Sequence, residues 1–239
     1  MRINKYLALA GVASRREADR LVEEGRVKVN GQVVTKLGVK VDEEKDRVDV
    51  DRRPVKLPRN FVYVLLNKPS GYIVTMDDPQ KRKTIVELLP SLSVRLFPVG
   101  RLDAESEGAL LCTNDGELAN RLMHPRYQVK KVYEVRVKGF VEDKELEKLK
   151  KGVYVDGRRT APAKLEVIYR NKENSLIILE IYEGRKHEVR KMFYALGFDV
   201  RKLKRLSIGG VTIKGLRRGG WRHLNQEELG KLKKLTGLK

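Results

Sequence analysis

Apolar positions along the chain change their period around residue 60. Before that point, Ile3, Leu7 and Ala10 share one helical face, and Gly11 closes the segment. Ser14 followed by Glu17 is a capping box that opens a second helix through Leu21 and Val22, ending at Gly25. Val27 and Val29 then alternate up to Asn30-Gly31, a hairpin signal with Val33-Val34 beyond it. After residue 60, strand-like and helix-like runs alternate. Residues 61–69 and 71–75 read as strands around the KPSG turn, and 84–90 as a short helix ended by Pro90. Residues 109–113 read as a buried strand, 116–125 as a helix broken at Pro125, 131–139 as a strand, and 142–152 as an exposed helix. Residues 175–184 form a further strand, and 187–197 a helix with Val189, Met192, Phe193 and Leu196 on one face. Turns separate the strands as often as helices do. The expectation is an α+β protein: a small helix-helix-hairpin module, then a mixed, mainly antiparallel sheet with flanking helices.

Between the two regimes, RRPVKLPRN at 52–60 carries two prolines and four basic residues with little to bury, and reads as a linker. The expected domains are 1–60 and 61–239. With 239 residues, 41% of them apolar, there is material for a packed core. A single cysteine, Cys112, excludes an internal disulfide and any zinc ribbon. His124, His187 and His223 are too scattered for a metal cluster, and neither metal nor cofactor is expected. The lack of an apolar signal core or of a bilayer-length apolar run points to a soluble cytoplasmic protein, expected to be a monomer.

Charge sharpens this picture. The net +20 points to a polyanion, either nucleic acid or an acidic membrane surface. It is unevenly spread: +5 over 1–60, +3 over 61–184 and +12 over 185–239. No basic amphipathic helix with exposed large apolar residues supports a membrane role. Arg15, Arg16, Arg20, Arg26 and Lys28 gather around the second helix and the first strand, a candidate RNA-docking face or a solvated basic surface. Arg205, Arg217 and Arg218, with Arg201, Lys202, Lys204, Lys214 and Arg222, alternate with apolar or glycine residues, as suits strands and loops that grip phosphates.

For chemistry, there is no GxGxxG after a strand, no GxxxxGK[ST] and no GxSxG. What remains is GRLDAESEGALLCTNDG at 100–116. Asp115 precedes a helix in Asn-Asp-Gly, where a cap is expected. Asp103 sits on a loop between buried strands with no such structural task, although an ion pair with Arg101 would also account for it.

Two resemblances make these readings specific. Ser14 to Ala18 and Gly25 to Gly31 resemble the RNA-binding module named for small-ribosomal-subunit protein four. GRLDAESEGALLCTNDGELANRLMHP is similar to the central motif of the bacterial ribosomal RNA pseudouridine synthases. NKPSGYIVT at 67–75, KVYEV at 131–135, EGRKHEVRKMFYALG at 183–197, RLSIGGV at 205–211 and KGLRRGGWRHL at 214–224 follow in the family's order. The resemblance implies isomerisation of a uridine in folded ribosomal RNA to pseudouridine, leaning to the large-subunit 23S members and to a precursor or partly assembled subunit as substrate. It implies that Asp103 is the essential carboxylate, acting as nucleophile or as the group that initiates loss of the base. Tyr133 matches the tyrosine that stacks on the flipped uracil, and Arg190 the arginine that pairs with the aspartate. Leu203 matches a residue packing under the site. Arg101 would fill the vacated stack or hold a phosphate, and Lys68 would touch RNA or cap its turn. A non-catalytic rRNA-binding or ribosome-assembly factor on the same fold is the alternative.

Overall fold

The computed structural model describes residues 1–58, 60–89 and 94–238. Two compact units result: one is essentially Met1–Val62, and the other is built from Tyr63 onward, each with minor exchanges of short segments.

In the first unit, α1 (Ile3–Leu9) and α2 (Arg15–Glu23) precede a four-stranded sheet of β1 (Val27–Val29), β2 (Gln32–Val33), β3 (Val48–Val50) and β4 (Arg53–Val55), ordered β2-β1-β3-β4. Ser14 caps α2, its Oγ accepting from Glu17 N at 3.2 Å. Asn30 and Gly31 both adopt positive φ, the backbone a two-residue hairpin turn requires. Ile3, Leu7, Ala18, Val22, Val27 and Val48 close the core. The expected linker at 52–60 is corrected here: Arg53–Val55 is a strand paired to β3, and Val55 O accepts from Tyr6 Oη at 3.0 Å. Arg59, also in that stretch, lies outside the described residues.

The second unit is a sheet ordered β11-β12-β8-β13-β7-β5-β15, with β14 on β13 and β6 on β7. Its strands are β5 (Tyr63–Lys68), β6 (Phe97–Pro98), β7 (Glu107–Thr113), β8 (Lys131–Lys138), β11 (Lys164–Arg170), β12 (Asn174–Ile181), β13 (Val200–Ile208), β14 (Val211–Thr212) and β15 (Trp221–His223). A two-stranded ribbon, β9 (Tyr154–Val155) and β10 (Arg158–Arg159), stands apart. The helices are α3 (Gly116–Met123), α4 (Asp143–Lys151), α5 (Glu188–Tyr194) and α6 (Gln226–Leu235). All pairings within the large sheet are antiparallel except β13 with β7.

β7 is buried along its whole length, which explains its unbroken apolar run. β12 alternates buried and half-buried residues. Leu118, Ala119 and Leu122 of α3 pack with Leu65, Ala109 and Leu111 of the sheet, while α5 buries Val189, Met192 and Phe193.

Three expectations change. Residues 71–75 form no strand; Ile73 makes one isolated bridge to Thr84. The helix expected at 84–90 is a 3-10 turn, Ile85–Leu88, and Pro90 lies outside the described residues. The central strand β13 falls outside every strand expected from periodicity. Register shifts between Val200 and Lys202 and between Arg205 and Ser207 break its alternation, so its basic residues resemble a surface tail.

Candidate active site

Four neighbouring strands build one row. Tyr133 on β8 pairs with Arg205 on β13, Arg205 with Gly108 on β7, and Gly108 with Lys68 on β5. Gly108 is obligatory in this row. Its φ is +106°, and a Cβ there would lie 2.1 Å from Arg205 O, so any side chain would push β7 from β13. The loop that carries Asp103 enters β7 at the end of the row, at the mouth of a cleft of about 750 Å³. Asp103, Tyr133, Leu203, Arg205, Lys131 and Arg101 all line this cleft.

Lys68 fixes the loop. The residue is 0% exposed, and its ammonium donates to the carbonyls of Asp103, Ala104 and Ser106 at 3.1, 3.1 and 2.8 Å, and to Pro69 O at 3.1 Å. Burial pulls it down to about 8, partly offset by the charges of Asp103 and Glu107. The expectation that Lys68 touches RNA is therefore corrected: every donor is spent on backbone it holds in place. Gly71 N adds a bond to Ala104 O at 2.8 Å, tying the KPSG turn to the same loop.

Asp103 thus projects a carboxylate, with a side chain 35% exposed, from a backbone gripped from below. Its neighbour is His187, whose Nε2 lies 3.2 Å from Asp103 Oδ1. His187 adopts a left-handed backbone at the start of α5, with φ of 56°, and this turn swings its ring toward the loop. The expected pair between Arg190 and Asp103 does not form. Arg190 donates from Nη1 to Val200 O at 2.8 Å, which anchors the guanidinium, and its Nη2 meets Glu105 Oε2 at 3.4 Å. Arg190 therefore meets the Asp103 loop through the exposed Glu105 side chain and not through Asp103 itself.

Tyr133 is 7% exposed, its Oη 3.5 Å from Arg205 Nη1. Arg205 is itself buried and donates from Nε to Ala109 O at 2.7 Å. Expected among the phosphate-gripping cations, it is instead a buried residue of the cleft lining. Lys131, two residues before Tyr133 and hence on the same face of β8, lines the cleft as well. Burial, reinforced by the nearby Arg205 charge, brings its ammonium down to about 8. That i, i+2 spacing is the signal by which it could have been found. At the rim, Glu188 is buried beside Glu183, and desolvation with the shared hydrogen bond raises it to about 7.

The remaining cations differ in how free they are. Arg217 is exposed, whereas Arg218 Nη2 lies 3.0 Å from the buried Glu107. In the first unit Arg20 pairs with Glu17 and Glu24, and Arg26 chelates Asp51 at 2.9 and 2.6 Å. Arg15, Arg16 and Lys28 have no ion pair among the described residues, and both arginines are exposed. Among those residues, no group of three His, Cys, Asp or Glu is arranged to hold a metal, and no helix is long and apolar enough to cross a membrane.

Comparison with known proteins follows the same division. Residues 62–195 match the RNA pseudouridylate synthase family and residues 1–56 the S4 domain. An uncharacterized RNA pseudouridine synthase of Aquifex aeolicus (strain VF5) is 48% identical over 240 residues, covering 100% of this chain and 96% of that protein. Ribosomal large subunit pseudouridine synthase B of Bacillus subtilis (strain 168) is 44% identical over 237 residues, covering 98% and 96%. A crystal structure of a pseudouridylate synthase superposes with a TM-score of 0.70 at 32% identity, covering 97% of this chain and 99% of that one.

Proposed function

This chain belongs to the RNA pseudouridine synthase family, and from that premise we propose that it modifies a uridine of large-subunit ribosomal RNA, with Asp103 as the essential carboxylate. In the reaction the C1′–N1 bond breaks, the uracil turns in place, and C5 bonds to C1′. The proton lost from C5 is matched by one gained at N1, so the change is an isomerisation with no atom gained or lost.

The observation that carries the reading is the grip of Lys68 on three carbonyls of the Asp103 loop. A buried ammonium spent on backbone carbonyls, three of them in one loop, is an expensive way to make a turn and a sound way to preorganise a reacting group. A carboxylate so held suits an electron-poor sugar carbon, either by attack at C1′ or by starting the loss of the base. Tyr133 offers a ring face to the flipped uracil on the cleft wall, and Leu203 packs beneath. Arg190 meets the loop through Glu105. Arg101, exposed at the cleft, meets the RNA from which the base has left.

In the first unit, Arg15, Arg16 and Lys28 supply charge free to meet phosphate, with Arg20 and Arg26 beside them already paired. Arg217 and Arg218 extend the contact in the second unit. The substrate is folded RNA of a precursor or partly assembled subunit, and the enzyme acts as a cytoplasmic monomer.

Asp103→Asn tests the central assignment. Tritium release from 5-tritiated uridine in large-subunit rRNA is expected to vanish while RNA affinity stays within twofold. Turnover retained in this variant refutes the role of Asp103. A wild-type protein that binds rRNA but forms no pseudouridine in it refutes the substrate.

A further inference from the structure

The cleft lining holds more positive charge than its own neighbours explain. Arg205, 3% exposed, has no carboxylate within salt-bridge distance among the described residues. Its Nε is satisfied by Ala109 O, and its Nη1 makes only the long contact to Tyr133 Oη. Its Nη2 is buried with no hydrogen-bond partner. Ser106, 1% exposed and lining the same cleft, has an equally unpartnered Oγ. Lys131 adds a second cation close enough to Arg205 to be disfavoured by it; Glu188 nearby offsets this only in part, and no carboxylate lies within salt-bridge distance of Lys131 among the described residues. Lys131 Nζ has only Val129 O at 2.9 Å and a distant Tyr182 O at 3.5 Å.

A buried charge without a partner is unfavourable, because it has given up its hydration with nothing in exchange. An arginine cannot escape that cost by losing its proton. A lysine can, and the descent of Lys131 to about 8 marks the strain. Such an arrangement persists where a ligand brings the missing charge. Arg205 lines the cleft beside Tyr133 and is 3% exposed, so it is placed for a base turned out of its stack, while exposed arginines such as Arg101 are open to backbone phosphate.

We propose that Arg205, with Lys131 beside it, is a catalytic cation that receives the negative charge of the uracil ring when its glycosidic bond breaks. This rests on the cleft being the uridine site. As C1′–N1 cleaves, the electron pair departs with the ring and spreads from N1 to O2 and O4. The neutral ring of the bound uridine needs no cation, and the detached ring does. Donors fixed in advance where charge develops stabilise that species without reorganisation. They also keep it in the cleft while it turns, until C5 bonds to C1′, C5 gives up its proton and N1 takes one. Ser106 Oγ supplies a further donor to a ring carbonyl.

The test uses full-length protein, wild type and Arg205→Met, Arg205→Lys and Lys131→Met, with two readouts. The first is single-turnover pseudouridine formation on saturating 5-tritiated rRNA, beside RNA affinity. Arg205→Met is expected to lose ~10²–10³ in rate, the cost of removing one such donor, with RNA affinity within twofold. Arg205→Lys, retaining the charge, recovers part of the rate, and Lys131→Met loses less than Arg205→Met. An unchanged rate in Arg205→Met, or a loss wholly in RNA affinity, overturns the proposal while leaving the enzyme assignment intact. The second readout is calorimetric binding of 5-nitrouracil, anionic at neutral pH, against neutral uracil. Wild type is expected to favour the anion at least tenfold and Arg205→Met to lose that preference. Equal binding of the two by wild-type protein overturns the proposal even if the Met variant fails to fold. Because this readout needs no turnover, it separates failure of the charge-receptor role from failure of the rRNA assignment.

Discussion

Replacing Lys68 by methionine tests whether this residue builds the site or binds RNA. The substitution keeps the length and removes the charge and all donors. Ala104 O retains Gly71 N and Asp103 O retains Ser106 N as donors, so the carbonyls of Pro69 and Ser106 are the ones that lose theirs. At ~1–3 kcal/mol for each buried polar group without a partner, that is a loss of ~2–6 kcal/mol. Against it stands the burial cost of the ammonium, no longer incurred. The fall from 10.5 to about 8 corresponds to ~3 kcal/mol at ~1.4 kcal/mol per pH unit. The net expectation is a small destabilisation of about 1 kcal/mol, or a Tm lower by roughly 2–4 °C at this chain length. Activity suffers more, because a loop displaced by ~1 Å costs ~10²-fold in rate. Differential scanning fluorimetry, tritium release and filter binding against salt measure the three quantities. A normal rate with weaker RNA binding and a shallower salt dependence would refute the reasoning and restore Lys68 as a phosphate ligand.

Other outcomes follow from the same geometry. Between about 8 and 10.5 the unfolded chain keeps protons that folded Lys68 and Lys131 have lost, so stability rises with pH while activity falls; urea unfolding of Lys68→Met should show a flatter rise over that window. Glu188 works in the opposite sense. Folded Glu188 holds a proton from 4.5 to about 7 that the unfolded chain releases, so stability declines as pH climbs through that interval, and Glu188→Gln should raise the Tm at pH 7.5 but not at pH 4. Gly108→Ala, with its Cβ against Arg205 O and an unfavourable φ, should cost upward of ~3 kcal/mol and leave little folded protein, as read by near-ultraviolet circular dichroism. Arg15→Ala and Arg16→Ala should each weaken RNA binding and reduce its salt slope by ~0.7–0.9 for every phosphate no longer neutralised, whereas Arg20→Ala, already paired to Glu17 and Glu24, should change the slope less.

What the chain settles by itself is local or periodic. Ser14 with Glu17 starts a helix, and Asn30-Gly31 turns a hairpin, because caps and turns depend on residues a few positions apart. β12, the apolar run of β7 and the buried face of α5 are recognisable because one side of each faces a core whatever that core contains. Asp103 stands out as a loop carboxylate lacking a capping task. Tertiary structure decided the rest. Lys68 and Arg205 read as surface cations, yet the carbonyls that accept from them come from residues 103–106 and from Ala109, far along the chain. Burial of a charge is set by the partners the fold brings to it, and no local pattern records them. β4 was hidden in a proline-containing basic stretch, and β13 behind two register shifts that erased its period. The same holds at the carboxylate itself. His187 rather than Arg190 meets Asp103, because a left-handed turn before α5 directs the imidazole inward while Val200 O anchors the guanidinium elsewhere. Such choices arise from backbone geometry and competing hydrogen bonds, which exist only once the strands have paired.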